Sequence, residues 1–200
     1  MKILITAFEP FNQQTENASY EILQNLDYDD SSIEIIKVFL PVVYDYHIYK
    51  TLIMKHHPSI ILHLGEAYGR SLIGLERRAK NLKSANIPDN EGVIFTNELI
   101  HPLGPEERLT TLPIESIYQA VQKQNNPIEI SESAGTYICN LALYASLEAI
   151  EALQWPIQVG FIHFPRLDHQ KNSLNIPTLS LKTSVDCLTA ILRSIINEER

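Results

Sequence analysis

Cysteine is scarce in this chain of 200 residues: only Cys139 and Cys187 occur. Two thiols are too few to staple a secreted disulfide scaffold, and the scarcity suits a reducing compartment. Long apolar runs are missing as well. No segment reaches the ~18 consecutive apolar residues of a membrane span. Residues Met1 to Phe8 carry one charge and a short apolar run, and Glu9 and Pro10 follow. They lack the apolar region and small-residue cleavage site of a signal peptide, so a cytoplasmic protein is expected. Positive charge is in deficit, with 16 Lys and Arg against 24 Asp and Glu and a net charge of −8. Without a basic patch, neither nucleic acid nor an anionic membrane is an expected partner. Neither His-Glu-x-x-His nor paired Cys-x-x-Cys spacing occurs, so no metal site is expected. Repeats, low-complexity tracts and linkers are absent too. The 11 prolines and 7 glycines are scattered as punctuation.

What is present is an ordinary globular balance, 44% hydrophobic and 20% charged. This length makes about one domain, here residues 1–200, able to bury roughly 70% of its unfolded surface. Apolar runs predict strands at Lys2–Ala7, Ile33–Phe39, Ser59–Leu64, Ile128–Ser131 and Ile157–His163, with a further strand over Ser71–Ala79. Helical spacing predicts helices at Ser19–Leu26, capped by Asn17 or Ser19, and at Val43–His56, stopped by Pro58. Three more are expected at Pro113–Gln124, Tyr137–Leu153 and Pro177–Ile196, the first with proline in its first turn. Asn86–Gly92 is turn chemistry. The alternation of strand and helix predicts an α/β fold, a mostly parallel sheet between helical layers. Sites in such sheets form at the carboxyl ends of strands, just after Ala7, Leu64, Ser131 and Phe161.

Cys139 falls between a strand and the start of a helix. There the helix dipole would lower the thiol pKa and supply thiolate, the nucleophilic form. The plainer reading is a small buried apolar residue, and Cys187, on the apolar face of the last helix, fits that reading. His163 ends the run Ile157–Ile162, where a catalytic base would stand or where a core histidine would bond a backbone carbonyl. His63 lies within an apolar run and reads as buried. His47, His56, His57, His101 and His169 read as surface or turn residues. A cysteine–histidine pair needs an acid to orient the imidazole. Glu9, Glu66 and Glu76 are the candidates, although spacing alone makes Glu76 a surface partner of Arg77 or Lys80. Phe8 and Phe11 follow the first strand, as core or as the walls of an apolar slot for a flat ring. Gly65 to Arg70 is only a faint phosphate-loop pattern, without the Lys-Ser/Thr of a P-loop.

Together these pieces resemble the pyroglutamyl peptidase I (pyrrolidone carboxyl peptidase) family of cysteine peptidases. They are Phe8-Glu9-Pro10-Phe11, Gly69-Arg70, Leu75-Glu76-Arg77, Ile87-Pro88-Asp89-Asn90-Glu91-Gly92, Ser133 to Asn140 and Gly160-Phe161-Ile162-His163. Each is short, but their order and separations cover the whole chain. The resemblance implies a three-layer α/β/α sandwich with a twisted sheet, commonly assembled as a homotetramer. It implies hydrolysis that frees N-terminal pyroglutamate from peptides, with no metal or organic cofactor. It assigns Cys139 as nucleophile, His163 as general base and acid, and Glu76 as the acid that orients it. Phe8, Phe11, Asn17, Tyr137 and Ile138 match its ring pocket, and Glu66, Asn86 and Ile87 fall beside that pocket.

The chain also departs from the family pattern. Ala7 stands where the family usually has glycine, and Asn12-Gln13 where it has Gly-Gly, changes expected to stiffen the loop. Asn86 replaces an arginine near the active site, Glu66 replaces a glutamine, and Arg166 follows Pro165 where a tyrosine is usual. The loss of charge at Asn86 and the added charge at Glu66 leave a competing reading. In it the chain is a weakened or non-catalytic relative that binds pyroglutamyl or related lactams. An unrelated small-molecule hydrolase on the same fold is a third.

Overall fold

The computed structural model describes residues 1–170 and 175–198. Its centre is a six-stranded sheet in the order β2-β1-β3-β8-β4-β7. The strands are β1 (Lys2–Phe8), β2 (Glu34–Leu40), β3 (Ile60–Glu66), β4 (Ile73–Glu76), β7 (Ile128–Ser131) and β8 (Gln158–Phe164). All neighbours run parallel except β4 and β8, which are antiparallel. Small two-stranded sheets pair β5 (Arg78–Lys80) with β6 (Glu107–Leu109) and β9 (Arg166–Leu167) with β10 (Thr178–Leu179).

Helices cover both faces, as continuous apolar strands require. On one face lie α1 (Ala18–Asn25), α3 (Ile114–Gln122) and α5 (Leu181–Glu198); on the other lie α2 (His47–His56) and α4 (Ile138–Leu153). Side-chain alternation divides each strand between the two layers. Ile3, Ile5, Leu62, Leu64, Ile73, Leu75, Ile162 and Phe164 join the core beneath α1, α3 and α5, which also holds Cys187. Leu4, Phe8, Ile61, Val159 and Phe161 join the core beneath α2 and α4. This division decides which strand residues face the site.

Several expected boundaries shift, each for a local reason. α2 begins at His47, because Asp45 Oδ1 accepts from His47 N at 2.9 Å and Ile48 N at 3.2 Å. The preceding Tyr44 N donates instead to Asp89 Oδ2. Ser71–Ala79 is two strands in two sheets; at the break, Arg77 N donates to Ser131 O. The last helix begins at Leu181, with Ser180 Oγ accepting from Thr183 N, and β10 fills part of the span expected as helix. β4 follows the turn at Gly65 to Arg70 directly, so no helix N-terminus stands there and the faint phosphate-loop pattern has no counterpart.

Candidate active site

The register of the sheet lines up one row of positions on the α4 face. Gly65 pairs with His163, and His163 pairs with Gly74. Thr6 pairs with His63, so Phe8, two residues on, extends the row beside Gly65. His163 therefore stands between two positions that have no side chain. The space above Gly65 is taken by others: a Cβ there would lie 2.7 Å from the Phe161 ring and 3.0 Å from Cys139 Sγ. The glycine lets the thiol descend onto the sheet beside His163.

Cys139 is the second residue of α4 and is partly exposed. Next to it, the buried Asn140 fixes the helix start. Its amide accepts from Lys80 N at 2.7 Å and donates to Lys80 O and Leu82 O. The amides of the first turn have no partner within the helix and point towards the thiol's end of it. Placement at a helix start was expected to lower the thiol pKa, but the structure reverses the direction. Burial, and after it the Glu76 carboxylate, push the thiol up to about 12; its own backbone and Arg70 only partly offset them.

His163 is 5% exposed, and its imidazole hydrogen-bonds through Nδ1 to Glu76 Oε1 at 2.6 Å. Glu76 is fully buried. The antiparallel pairing of β4 with β8 turns it towards His163 and away from Arg77 and Lys80. Arg77 pairs instead with Glu115 and Glu132. The same Oε1 accepts from Arg70 Nη1 at 2.8 Å, while Oε2 has no hydrogen-bond partner among the described residues. His63 stands on the same face and is buried between Thr6 Oγ1 at 2.7 Å and Ser146 Oγ at 2.8 Å. Burial lowers its pKa to about 3, so it is a neutral core histidine.

The expected pocket residues divide into two groups. Phe8 and Ile138 are buried beside the α4 core, and Phe11 and Tyr137 pack at its edge with ring centroids 6.1 Å apart. Ile87 is partly buried and Asn86 exposed, in a loop anchored where Tyr137 Oη donates to Pro88 O. Asn90 Nδ2 joins this loop to the first one through Pro10 O, and a cleft of about 440 Å³ lies between the two. Asn17 and Glu66 are turned elsewhere. Asn17 caps α1 through Ser19 N and donates to Glu9 O. Glu66 follows Gly65 in the strand, so its side chain falls on the α1 face rather than over the thiol. There it accepts from Ala18 N and Gln170 Nε2, both at 2.8 Å, and meets Arg166 at 3.5 Å. Two departures from the family pattern thus pair with each other. Asn12 and Gln13 keep left-handed backbone, with φ of 51° and 60°, at positions where glycine is usual. Away from the cleft, Glu16, Glu21 and His169 gather with ligand atoms within 4.8 Å, a proximity invisible in sequence spacing.

A thiol at a helix start, beside an imidazole held by a buried carboxylate on an α/β/α sandwich, has the residue types that a cysteine-type peptidase requires. The chain belongs to the pyroglutamyl peptidase family, whose profile matches residues 1–198. It is 39% identical over 98% of both chains to pyrrolidone-carboxylate peptidase 1 of Caldanaerobacter subterraneus subsp. tengcongensis. It is 35% identical to the pyrrolidone-carboxylate peptidase of Thermococcus onnurineus, over 97% of this chain and 98% of that one. A solved mutant pyrrolidone carboxyl peptidase from the hyperthermophile Pyrococcus furiosus superposes with a TM-score of 0.94 at 32% identity, covering 100% of both chains. Pyroglutamyl peptidase I of Bacillus amyloliquefaciens gives 0.92 at 34% identity, over 98% of this chain and 97% of that one.

Proposed function

We propose that the protein removes N-terminal pyroglutamate from peptides by thiol catalysis, with residues 1–200 acting as one catalytic domain. The observation that carries this reading is the His163–Glu76 bond beside the space over Gly65 that Cys139 enters. Glu76 accepts a hydrogen bond from Nδ1–H and leaves Nε2 free as the base. A thiol with its pKa near 12 is protonated at neutral pH, so His163 must take its proton as attack begins. Sulfur then bonds the carbonyl carbon that joins pyroglutamate to the next residue. First-turn amides of α4 hold the developing oxyanion, a role worth ~3–4 kcal/mol per donor. The imidazolium protonates the leaving amine, and water activated by His163 hydrolyses the thioester.

Phe8, Phe11, Tyr137 and Ile138 form the slot for the uncharged lactam, with Asn86 and Ile87 at its mouth. Asn17 and Glu66 act from behind by fixing the loop and α1. An ordinary charged N-terminus is rejected, because burying an unpaired ammonium costs several kcal/mol. The test is a panel of fluorogenic pyroglutamyl, prolyl and glutamyl amides. Turnover of the pyroglutamyl compound alone is expected; equal turnover of the prolyl compound would exclude recognition of the lactam carbonyl. The resemblance further implies a homotetramer in the cytoplasm, with no metal or organic cofactor. Exposed Ile94, Leu99, Leu103 and Leu109 are apolar surface that a second copy would cover. Among the described residues no helix is long and apolar enough to cross a membrane.

A further inference from the structure

The second gap in the row beside His163 is also filled from elsewhere. A Cβ built on Gly74 collides with Nη1 of Arg70, so the guanidinium lies where that side chain would stand. A short turn delivers it there from the end of β3, closed by Arg70 N donating to Ala67 O at 3.3 Å. We propose that Arg70 is a positioning residue, its guanidinium seated over Gly74 to bond the Glu76 carboxylate and hold it in line with His163. The proposal rests on the peptidase reading above and adds a member to its machinery.

Glu76 is buried with a 0% exposed side chain, and a buried carboxylate without a cation is costly. Neutral His163 offers Glu76 a hydrogen bond but no charge. Arg70 offers both, at 2.8 Å. Once the thiol proton has passed to His163 Nε2, the site holds a thiolate, an imidazolium and the Glu76 carboxylate, one negative charge in excess. Arg70 brings that sum to zero. The other titratable groups acting around the thiol are Glu66 from the end of β3, Tyr49 from α2 and Tyr137 before α4. Glu66 adds negative charge and the phenols are neutral, so Arg70 is the cation of the set. Asn86, where the family carries arginine, is exposed and supplies no charge.

The test combines R70Q, R70K and G74A with two readouts over a pH series. One is kcat/KM on a pyroglutamyl amide. The other is the rate of Cys139 alkylation by iodoacetamide, which needs no turnover and which buried Cys187 does not contaminate. R70Q is expected to lose about 10- to 100-fold in kcat/KM through kcat, with KM little changed. Below the thiol pKa the alkylation rate tracks the thiolate fraction, so at each pH of the series R70Q should react about 10-fold more slowly than the parent, the equivalent of about one unit upward in that pKa. G74A should show the same shift with Arg70 still present, since the added methyl displaces only the end of a flexible side chain. R70K should fall between, and added guanidinium ion should restore part of the R70Q loss, because the Arg70 side chain is 28% exposed. Parent-like alkylation profiles in R70Q and G74A would overturn the proposal, even if both variants melt lower. Should R70Q not fold, G74A decides on the same criterion. If the parent releases no pyroglutamate, the function reading fails, and the alkylation comparison still decides on Arg70.

Discussion

Glu76 shows how far a residue's role depends on pairing distant in sequence. Its neighbours Arg77 and Lys80 make it read as a surface partner, yet its side chain is fully buried and its bond reaches His163, 87 residues away. Only the antiparallel pairing of β4 and β8 brings the two together, and single-sequence periodicity carries no strand direction. His163 and Cys139 were easier, since the end of a strand and the start of a helix can be read locally. If Glu76 sets the imidazole tautomer, Glu76→Gln should cost about 10²- to 10⁴-fold in kcat/KM while far-UV circular dichroism is unchanged. Activity within threefold of the parent would remove Glu76 from the mechanism. His63 carries a second expectation at this scale. Its pKa is lowered from 6.5 to about 3, so the unfolded chain takes up a proton that the folded chain refuses. The stability this histidine contributes is complete above pH ~6.5 and is lost as pH falls toward ~3. Melting temperature should fall more steeply between pH 6.5 and 4.5 in the parent than in His63→Gln; parallel curves would show that His63 is not the group responsible.

At the scale of elements, strands and helices were legible to within a few residues wherever an apolar period ran unbroken. The misses came where a side chain from elsewhere claimed the backbone. α2 starts late because Asp89 takes Tyr44 N and Asp45 caps the first turn, so Asp45→Ala should lower stability by about 1 kcal/mol in urea titration. The turn after β1 keeps left-handed backbone at Asn12 and Gln13, a conformation costing about 1–2 kcal/mol for residues with a Cβ. Asparagine tolerates it better than glutamine does. Gln13→Gly should therefore stabilise by about 0.5–1 kcal/mol after the entropy of glycine is allowed for. An unchanged or lower denaturation midpoint would mean that the left-handed backbone carries no strain here. Asn12 and Gln13 thus hold a backbone that glycine adopts more readily, while Glu66 and Arg166 accommodate each other across β3 and β9.

The whole molecule places its chemistry on one side of one sheet. Alternation sends Phe8, His63, Gly65, Phe161, His163, Gly74 and Glu76 to the α4 face, and the two glycines open space on either side of His163. The thiol enters one space from the first turn of α4, and the guanidinium enters the other from the turn after β3. The layered α/β architecture could be read from the order of elements, because continuous apolar strands demand cover on both faces. The row itself could not, since it requires the register of four strands. In the proposed function this row makes Cys139 the nucleophile of a pyroglutamyl peptidase. The most direct measurement is pyroglutamate release from a fluorogenic pyroglutamyl amide by the parent and by Cys139→Ala, both shown folded by thermal melting. Robust release by the parent is expected, with a loss of at least about 10⁴-fold in Cys139→Ala. An inert, folded and reduced parent, or a variant that turns over as the parent does, would contradict it.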